Sequence, residues 1–224
     1  MVLITLERMS LDVQLVDVFG SDDRVCDAAR VSFAKVASNY TPEQNQKLIQ
    51  YLANHNHWSP FAHVIITMKE KVPIFIARQR FKHRIGFEYN EVSRRYVDDV
   101  PEFYVPKEWR KRADNKKQGS SDEEVPLNDK WFDEYNRFCR NVGFLYKEML
   151  DAGIAPEQAR MILPQSMYTE YYVTGSLAAW ARAYKLRIDH HAQREIQDLA
   201  TLWNVVIGSI KELSNSWKAL TDDI

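Results

Sequence analysis

Cysteine is scarce in this chain: 224 residues carry two, Cys26 and Cys139. They lie far apart and in none of the spacings used by zinc or dithiol motifs. They read as small buried thiols, and so low a count fits a reducing compartment. Net charge is nearly absent too, at -1 with a pI near 6.6. The bulk balance therefore offers no basic surface for non-specific nucleic-acid binding. No apolar run approaches the ~20 residues needed to span a bilayer. The opening residues, Met1 to Met9, have no basic region ahead of an apolar core and carry an early acid, Glu7, which predicts no signal peptide. Together these absences predict a cytoplasmic protein that binds neither membrane nor nucleic acid. Glycine-rich phosphate loops are missing as well, with no Walker motif and no Rossmann fingerprint, and there is no G-x-S-x-G nucleophile elbow.

What is present is ordinary for a globular protein, with 45% hydrophobic and 27% charged residues. No internal repeat or firm boundary appears, so a single domain over residues 1–224 is expected. Val2 to Phe19 alternates loosely and predicts one or two strands, with a hairpin broken near Ser10. Ser21 or Asp22 can cap a short helix through Val25, Ala28, Ala29 and Val31. Thr41-Pro42-Glu43-Gln44 is a strong helix start, with Pro42 at the first helical position and Gln44 placed for a capping box. That helix must end before Pro60. Phe61 to Val72 predicts a strand, and Pro73 then starts a helix running to Arg84. Residues 110–125 hold almost nothing apolar and predict a polar surface insertion, a solvated or partly disordered loop. Asn128 or Asp129 starts a long helix whose apolar face includes Trp131, Phe132, Tyr135, Phe138, Val142, Leu145, Tyr146 and Met149. A short helix from Pro156 closes at Pro164. Met167 to Thr174 is aromatic and β-branched, a strand signal. Gly175-Ser176 opens a helix, and a final helix is predicted from about His190 to Trp217. The fold class is α+β: a mixed or antiparallel sheet packed against long helices.

One stretch departs from this ordinary pattern. Arg78, Arg80, Lys82 and Arg84 flank His83 with no acid among them, directly after the apolar Ile74, Phe75, Ile76 and Ala77. Cations so dense beside apolar residues are costly unless an anion is present. Glu88, Glu91, Ser93, Arg94 and Arg95 follow. A second cluster is His55-Asn56-His57-Trp58-Ser59-Pro60. A third gathers Arg160, Arg182, Arg187, Asp189, His190, His191 and Gln193.

A metal reading of His55, His57 and His63 lacks an assignable further ligand. A helix-end His55 bonded to backbone is the simpler reading, and His190 and His191 would point apart on a helix. Ser93 among arginines suits a phosphate ligand better than a nucleophile. Neither cysteine lies near a basic cluster, so thiolate catalysis is unsupported. Several arginines with a Ser and a Gln suit a phosphorylated small molecule held by guanidinium forks. A structural ion-pair network or an oligomer interface is the competing reading.

At these residues the chain resembles the flavin-dependent thymidylate synthases, the ThyX family. The family pattern R-H-R-x-x-S-x-N-E-x-S-x-R-Y is met by Lys82-His83-Arg84 and then Tyr89-Asn90-Glu91-Val92-Ser93-Arg94-Arg95-Tyr96. Upstream, Tyr51-Leu52, His55, His57, Ser59-Pro60-Phe61 and the run Pro73 to Gln79 also match. Downstream the likeness continues through Ala159 to Pro164, Tyr168 to Gly175, and Leu186-Arg187, Asp189, His191-Ala192-Gln193 and Glu195-Ile196. Lys82 stands where the family usually has Arg. An extra residue near Phe87-Glu88 lengthens the loop before Ser93 and removes the motif's first Ser. Ser176 and Arg182 stand where better-known members have Asn.

The resemblance implies reductive methylation of dUMP to dTMP, with 5,10-methylenetetrahydrofolate as carbon donor, FAD as hydride carrier and NADPH as its reductant. It implies dUMP contacts at Gln79, Arg80, Glu91, Val92, Ser93, Arg94, Arg95, Arg160 and Arg187, with Arg187 catalytic at the uracil ring. It implies FAD contacts at His57, Ser59, Lys82, His83, Arg84, Glu91, Ser176 and Arg182. No protein metal site is implied. It also implies a homotetramer whose subunits share active sites, with dUMP and folate as small-molecule partners. The alternatives are a nucleotide- or nucleic-acid-binding module without catalysis, and a homologue that has lost activity.

Overall fold

In the computed structural model, residues 10–97, 99–113 and 119–222 are described. The chain runs β1 (Asp12–Phe19), α1 (Asp22–Arg30), α2 (Pro42–Asn54), β2 (Ile65–Pro73), α3 (Ile74–Arg80) and β3 (Phe87–Glu91). It continues through β4 (Arg110–Arg112), β5 (Ser120–Glu124), α4 (Asn128–Asp151), α5 (Pro156–Ala159), β6 (Tyr168–Ser176), α6 (Leu177–Ile188), α7 (Arg194–Gly208) and α8 (Ser214–Thr221). A four-stranded antiparallel sheet in the order β1-β2-β6-β3 carries the fold. Long helices pack on it, as the α+β reading expects.

Period-two alternation explains the two central strands. Ile66, Met68, Glu70 and Val72 are buried on β2, opposite Tyr171 and Val173 on β6. The core face of the sheet meets Trp180 of α6 and Trp203 of α7, both fully buried. Gly175 lets β3 close onto β6, because a Cβ there would lie 2.3 Å from the Phe87 ring. The capping box on α2 forms: Gln44 N donates to Thr41 Oγ1, and Thr41 N donates to Gln44 Oε1.

Several expectations are corrected. The first strand begins at Asp12; the proposed break near Ser10 falls at the edge of residues 1–9, which lie outside the described part. Pro60–His63 forms a 3-10 turn, and β2 starts at Ile65. The helix after Pro73 stops at Arg80, where the side chain is drawn into the core, so Lys82, His83 and Arg84 lie on a turn. Within the polar insertion β4 pairs with β5, held by Arg110 Nε donating to Ser120 Oγ at 2.6 Å and by a Lys111–Glu123 ion pair at 2.7 Å. Residues 114–118 are outside the described part.

The predicted last helix is two. It breaks at Ser209–Ile210, and α8 folds back so that Trp217 Nε1 donates to Asn204 at 2.8 Å. Asp22, expected as a cap of α1, instead accepts from the backbone N–H groups of Asn215 and Ser216, both at 3.0 Å, at the start of α8. On α4 only a narrow seam of Cys139, Val142, Gly143 and Tyr146 is buried, while Trp131, Phe138 and Leu145 remain 48%, 50% and 46% exposed. Both cysteines are buried free thiols, and burial pushes the Cys26 thiol up to about 11.

Candidate active site

Arg80 is the first surprise. Its side chain is fully buried and sits beside Glu70, also fully buried, with Nε 3.3 Å from both carboxylate oxygens. Glu70 also accepts from Tyr171 Oη at 2.5 Å and Trp203 Nε1 at 2.9 Å. Arg80 Nη1 donates to Tyr89 Oη at 2.6 Å, and Tyr89 in turn donates to the His83 carbonyl at 2.7 Å. Arg80, expected among the nucleotide contacts, lies in the core, and through Tyr89 it holds the turn carrying Lys82-His83-Arg84.

The other expected nucleotide residues divide between two cavities. Glu91, Val92, Ser93, Arg94, Arg95 and Arg160 line one of about 560 Å³, with Thr169 and Tyr168 in its wall. The end of β3 delivers this run, and Thr169 on β6 fixes Glu91 by donating to Oε1 at 2.6 Å. Arg94 is engaged internally, donating to the Asp99 carboxylate at 2.6 Å. Arg95 and Arg160 are exposed there, and Arg95 draws on the Ser93 hydroxyl through both N and Nε at 3.3 and 3.4 Å. Two exposed guanidinium groups and a hydroxyl make a good receptor for a phosphate dianion.

Gln79 and Arg187 line the second cavity, of about 460 Å³, together with Arg110, Ser120 and Gln193. Arg187 comes from the last turn of α6. Its Nε donates to His83 Nε2 at 2.8 Å and its Nη2 to the Gln79 carbonyl at 3.4 Å. Because Nε is a donor, His83 must accept at Nε2 and carry its proton at Nδ1. Burial, then the charges of Arg187, Arg80 and Arg182, push the His83 imidazole down to about 4, so it is neutral at physiological pH. Burial likewise lowers Arg187, with Arg80 adding to it.

The remaining expected residues are spread over the surface. Lys82 and Arg84 are exposed on the turn after α3, and Arg182 is exposed while donating to the Ile85 carbonyl at 2.5 Å. Ser176 caps α6 by accepting from Ala179 N at 3.3 Å. His57 and Ser59 are exposed after α2, with Tyr51 edge-on to His57 at 6.0 Å between ring centroids. His55 Nδ1 meets the Tyr51 carbonyl at 2.8 Å, the backbone role expected of it. His190 and His191 lie on the turn between α6 and α7 with rings 3.7 Å apart, not diverging on a helix as expected.

The family model described as thymidylate synthase complementing protein matches residues 14–207. The chain belongs to the flavin-dependent thymidylate synthase family. It is 41% identical to the flavin-dependent thymidylate synthase of Thermosipho africanus over 84% of this chain and 82% of that protein. It is 36% identical to that of Treponema denticola over 90% of this chain and 76% of that one. Among solved structures it resembles the UMP/dUMP methylase PolB from Streptomyces cacaoi bound with 5-Br dUMP. The TM-score is 0.84, with 31% identity and 95% of each chain covered. The family's fold and the present sheet with its long helices thus agree.

Four neighbours of the expected residues were given no role by the sequence reading: Glu70, Tyr89, Arg110 and Glu195. Glu70 left a sign, an acid in the apolar phase of β2, and Tyr89 and Glu195 sat within the matched motifs. Arg110 and Glu195 meet only through tertiary structure.

Proposed function

We propose that the chain is a flavin-dependent thymidylate synthase that methylates dUMP to dTMP, taking the carbon from 5,10-methylenetetrahydrofolate. The observation that carries the reading is the convergence of Ser93, Arg95 and Arg160 on one cavity, in a chain whose family is defined by this chemistry. Ser93, Arg95 and Arg160 hold the nucleotide phosphate. Glu91, oriented by Thr169, faces the same ligand, and the backbone at Val92 and Arg94 completes the wall. Gln79 and Arg187 engage the base, where the Arg187 guanidinium favours the ionised uracil.

The exposed cations Lys82, Arg84 and Arg182, with the exposed rings of His57 and Trp58, fit an anionic, aromatic dinucleotide such as FAD. Bound FAD supplies the hydride chemistry, replenished from NADPH. Neutral His83 orients Arg187, and Ser59 and Ser176 flank the cofactor. The division of the nucleotide residues between two cavities supports active sites completed by a neighbouring subunit, and the uncovered stripe Trp131, Phe138 and Leu145 supports a homotetramer.

Purified protein should be yellow, and its flavin should bleach when NADPH and dUMP are added. Colourless protein that takes up no FAD would sink the reading. Arg187→Ala should retain FAD and lose thymidylate formation; unchanged turnover would remove Arg187 from its role.

A further inference from the structure

A chain of polar side chains runs from the polar hairpin to Gln79. Arg110 on β4 donates from Nη2 to Glu195 Oε1 at 2.6 Å. Gln193 donates from Nε2 to the other carboxylate oxygen, Glu195 Oε2, at 2.8 Å. Gln79 donates from Nε2 to Gln193 Oε1 at 2.5 Å. Glu195 is 6% exposed, so water has little access to this junction.

The direction of this chain follows from what each group can do. A carboxylate in an ion pair only accepts, whereas an amide has one donating and one accepting end of nearly equal size. Facing an acceptor, Gln193 must turn its NH₂ to Glu195 and its oxygen to Gln79. Gln79 must then spend an N–H on Gln193, which leaves its own Oε1 for another partner. Gln79 lines the cavity that it shares with Arg187. Arg187 can only donate there, so the pair presents one acceptor beside fixed donors.

We infer that Glu195 is a positioning and specificity-determining residue: through Gln193 it fixes Gln79 with its carbonyl oxygen toward a donor group of the bound nucleotide. The inference rests on the proposed synthase reading, in which Gln79 meets the nucleotide. The donor it selects is an N–H or O–H of the nucleotide as it first binds: the imide N3–H of the neutral base, before Arg187 favours its ionisation, or the 3′-hydroxyl of the sugar. The isosteric change Glu195→Gln inverts the chain. Arg110, which only donates, takes the single amide oxygen, the new NH₂ turns to Gln193, both glutamines flip, and Gln79 presents N–H to a ligand donor.

The test is equilibrium binding of dUMP, N3-methyl-dUMP and 2′,3′-dideoxyuridine monophosphate to the FAD-loaded protein. Glu195→Gln should weaken dUMP binding by about 10- to 100-fold, the scale of one hydrogen bond replaced by two opposed donors. In a Gln79→Ala background the same change should have no further effect. One of the two analogues should bind the parent protein more weakly and show no response to Glu195→Gln, and that analogue identifies the donor. Gln193→Leu, which leaves the Arg110–Glu195 pair intact and frees the Gln79 amide to turn, should weaken dUMP binding by a smaller factor and serves if Glu195→Gln does not fold. dUMP affinity equal to the parent's in both variants, or the same loss from Glu195→Gln with and without Gln79, would overturn the inference. A parent protein that binds no dUMP would instead overturn the synthase reading.

Discussion

Arg80 and Arg95 belong to one charged stretch and meet opposite surroundings. Arg80 is fully buried. Four aromatic rings enclose its guanidinium, Phe87 at 4.4 Å, Trp203 at 4.6 Å, Trp180 at 4.7 Å and Tyr89 at 5.2 Å, while Glu70 supplies the counter-charge. Its Nη2 finds no hydrogen-bond acceptor among the described residues. Ring faces therefore share the solvation of this cation with the carboxylate. Arg95 is exposed at the rim of a cavity, and its partners are the nearby Ser93 hydroxyl and the Tyr96 ring at 5.1 Å. A cation satisfied by the fold serves the fold. A cation left exposed in a concave place is available to an anionic ligand. Density of charge in the sequence marked both and could not separate them.

The sharpest way to break this contrast is Glu70→Ala. It leaves Arg80 buried without its counter-ion and strands the donors of Tyr171 and Trp203, so unfolding free energy should fall by about 3–5 kcal/mol. Denaturant titration reads the loss; a change below about 1 kcal/mol would mean that the aromatic rings alone suffice. Arg95→Ala should do the reverse. Stability should stay within about 0.5 kcal/mol, while dUMP binding by calorimetry weakens by about 1.5–3 kcal/mol, as for a charge-assisted hydrogen bond. An unchanged dissociation constant would put Arg95 on the structural side of the comparison.

The smallest effect concerns His83, which sits between the two regimes. Its folded value near 4 lies below the ordinary 6.5, chiefly through burial. The folded state therefore binds fewer protons than the unfolded chain in this window, so stability falls as pH drops from about 6.5 toward 4. His83→Gln should flatten that part of the stability–pH curve in denaturation experiments at pH 7, 6 and 5. A parallel curve for parent and variant would show that the imidazole is not held neutral by the fold.

Much of the fold was legible because its cues are local. Thr41 and Gln44 satisfy each other's backbone groups within one turn. The buried face of α7 appears as Ile196, Leu199 and Trp203 at helical spacing, and β2 and β6 announce themselves by alternation. Where locality failed, so did the reading. The helix after Pro73 was extended to Arg84 because nothing within four residues of Arg80 says that Glu70 will claim it. The final helix was drawn unbroken because the gain from the break comes from Asp22, which is remote in sequence and caps α8. Residues 110–125 read by composition as a solvated or partly disordered insertion, whereas β4 and β5 pair and are held by hydrogen bonds and an ion pair.

By itself the sequence determined the family, the order of its motifs and the side chains on offer, since residue identity and short-range spacing carry those directly. Only the tertiary structure decided which cations are buried and which line a cavity, how Gln79 and Arg187 part from Ser93, Arg95 and Arg160, and which end of the Gln79 amide is left free. Those outcomes depend on contacts between residues distant in the chain, such as Arg110 and Glu195, 85 positions apart. Burial and hydrogen-bond polarity come into existence only when the sheet and helices close around them.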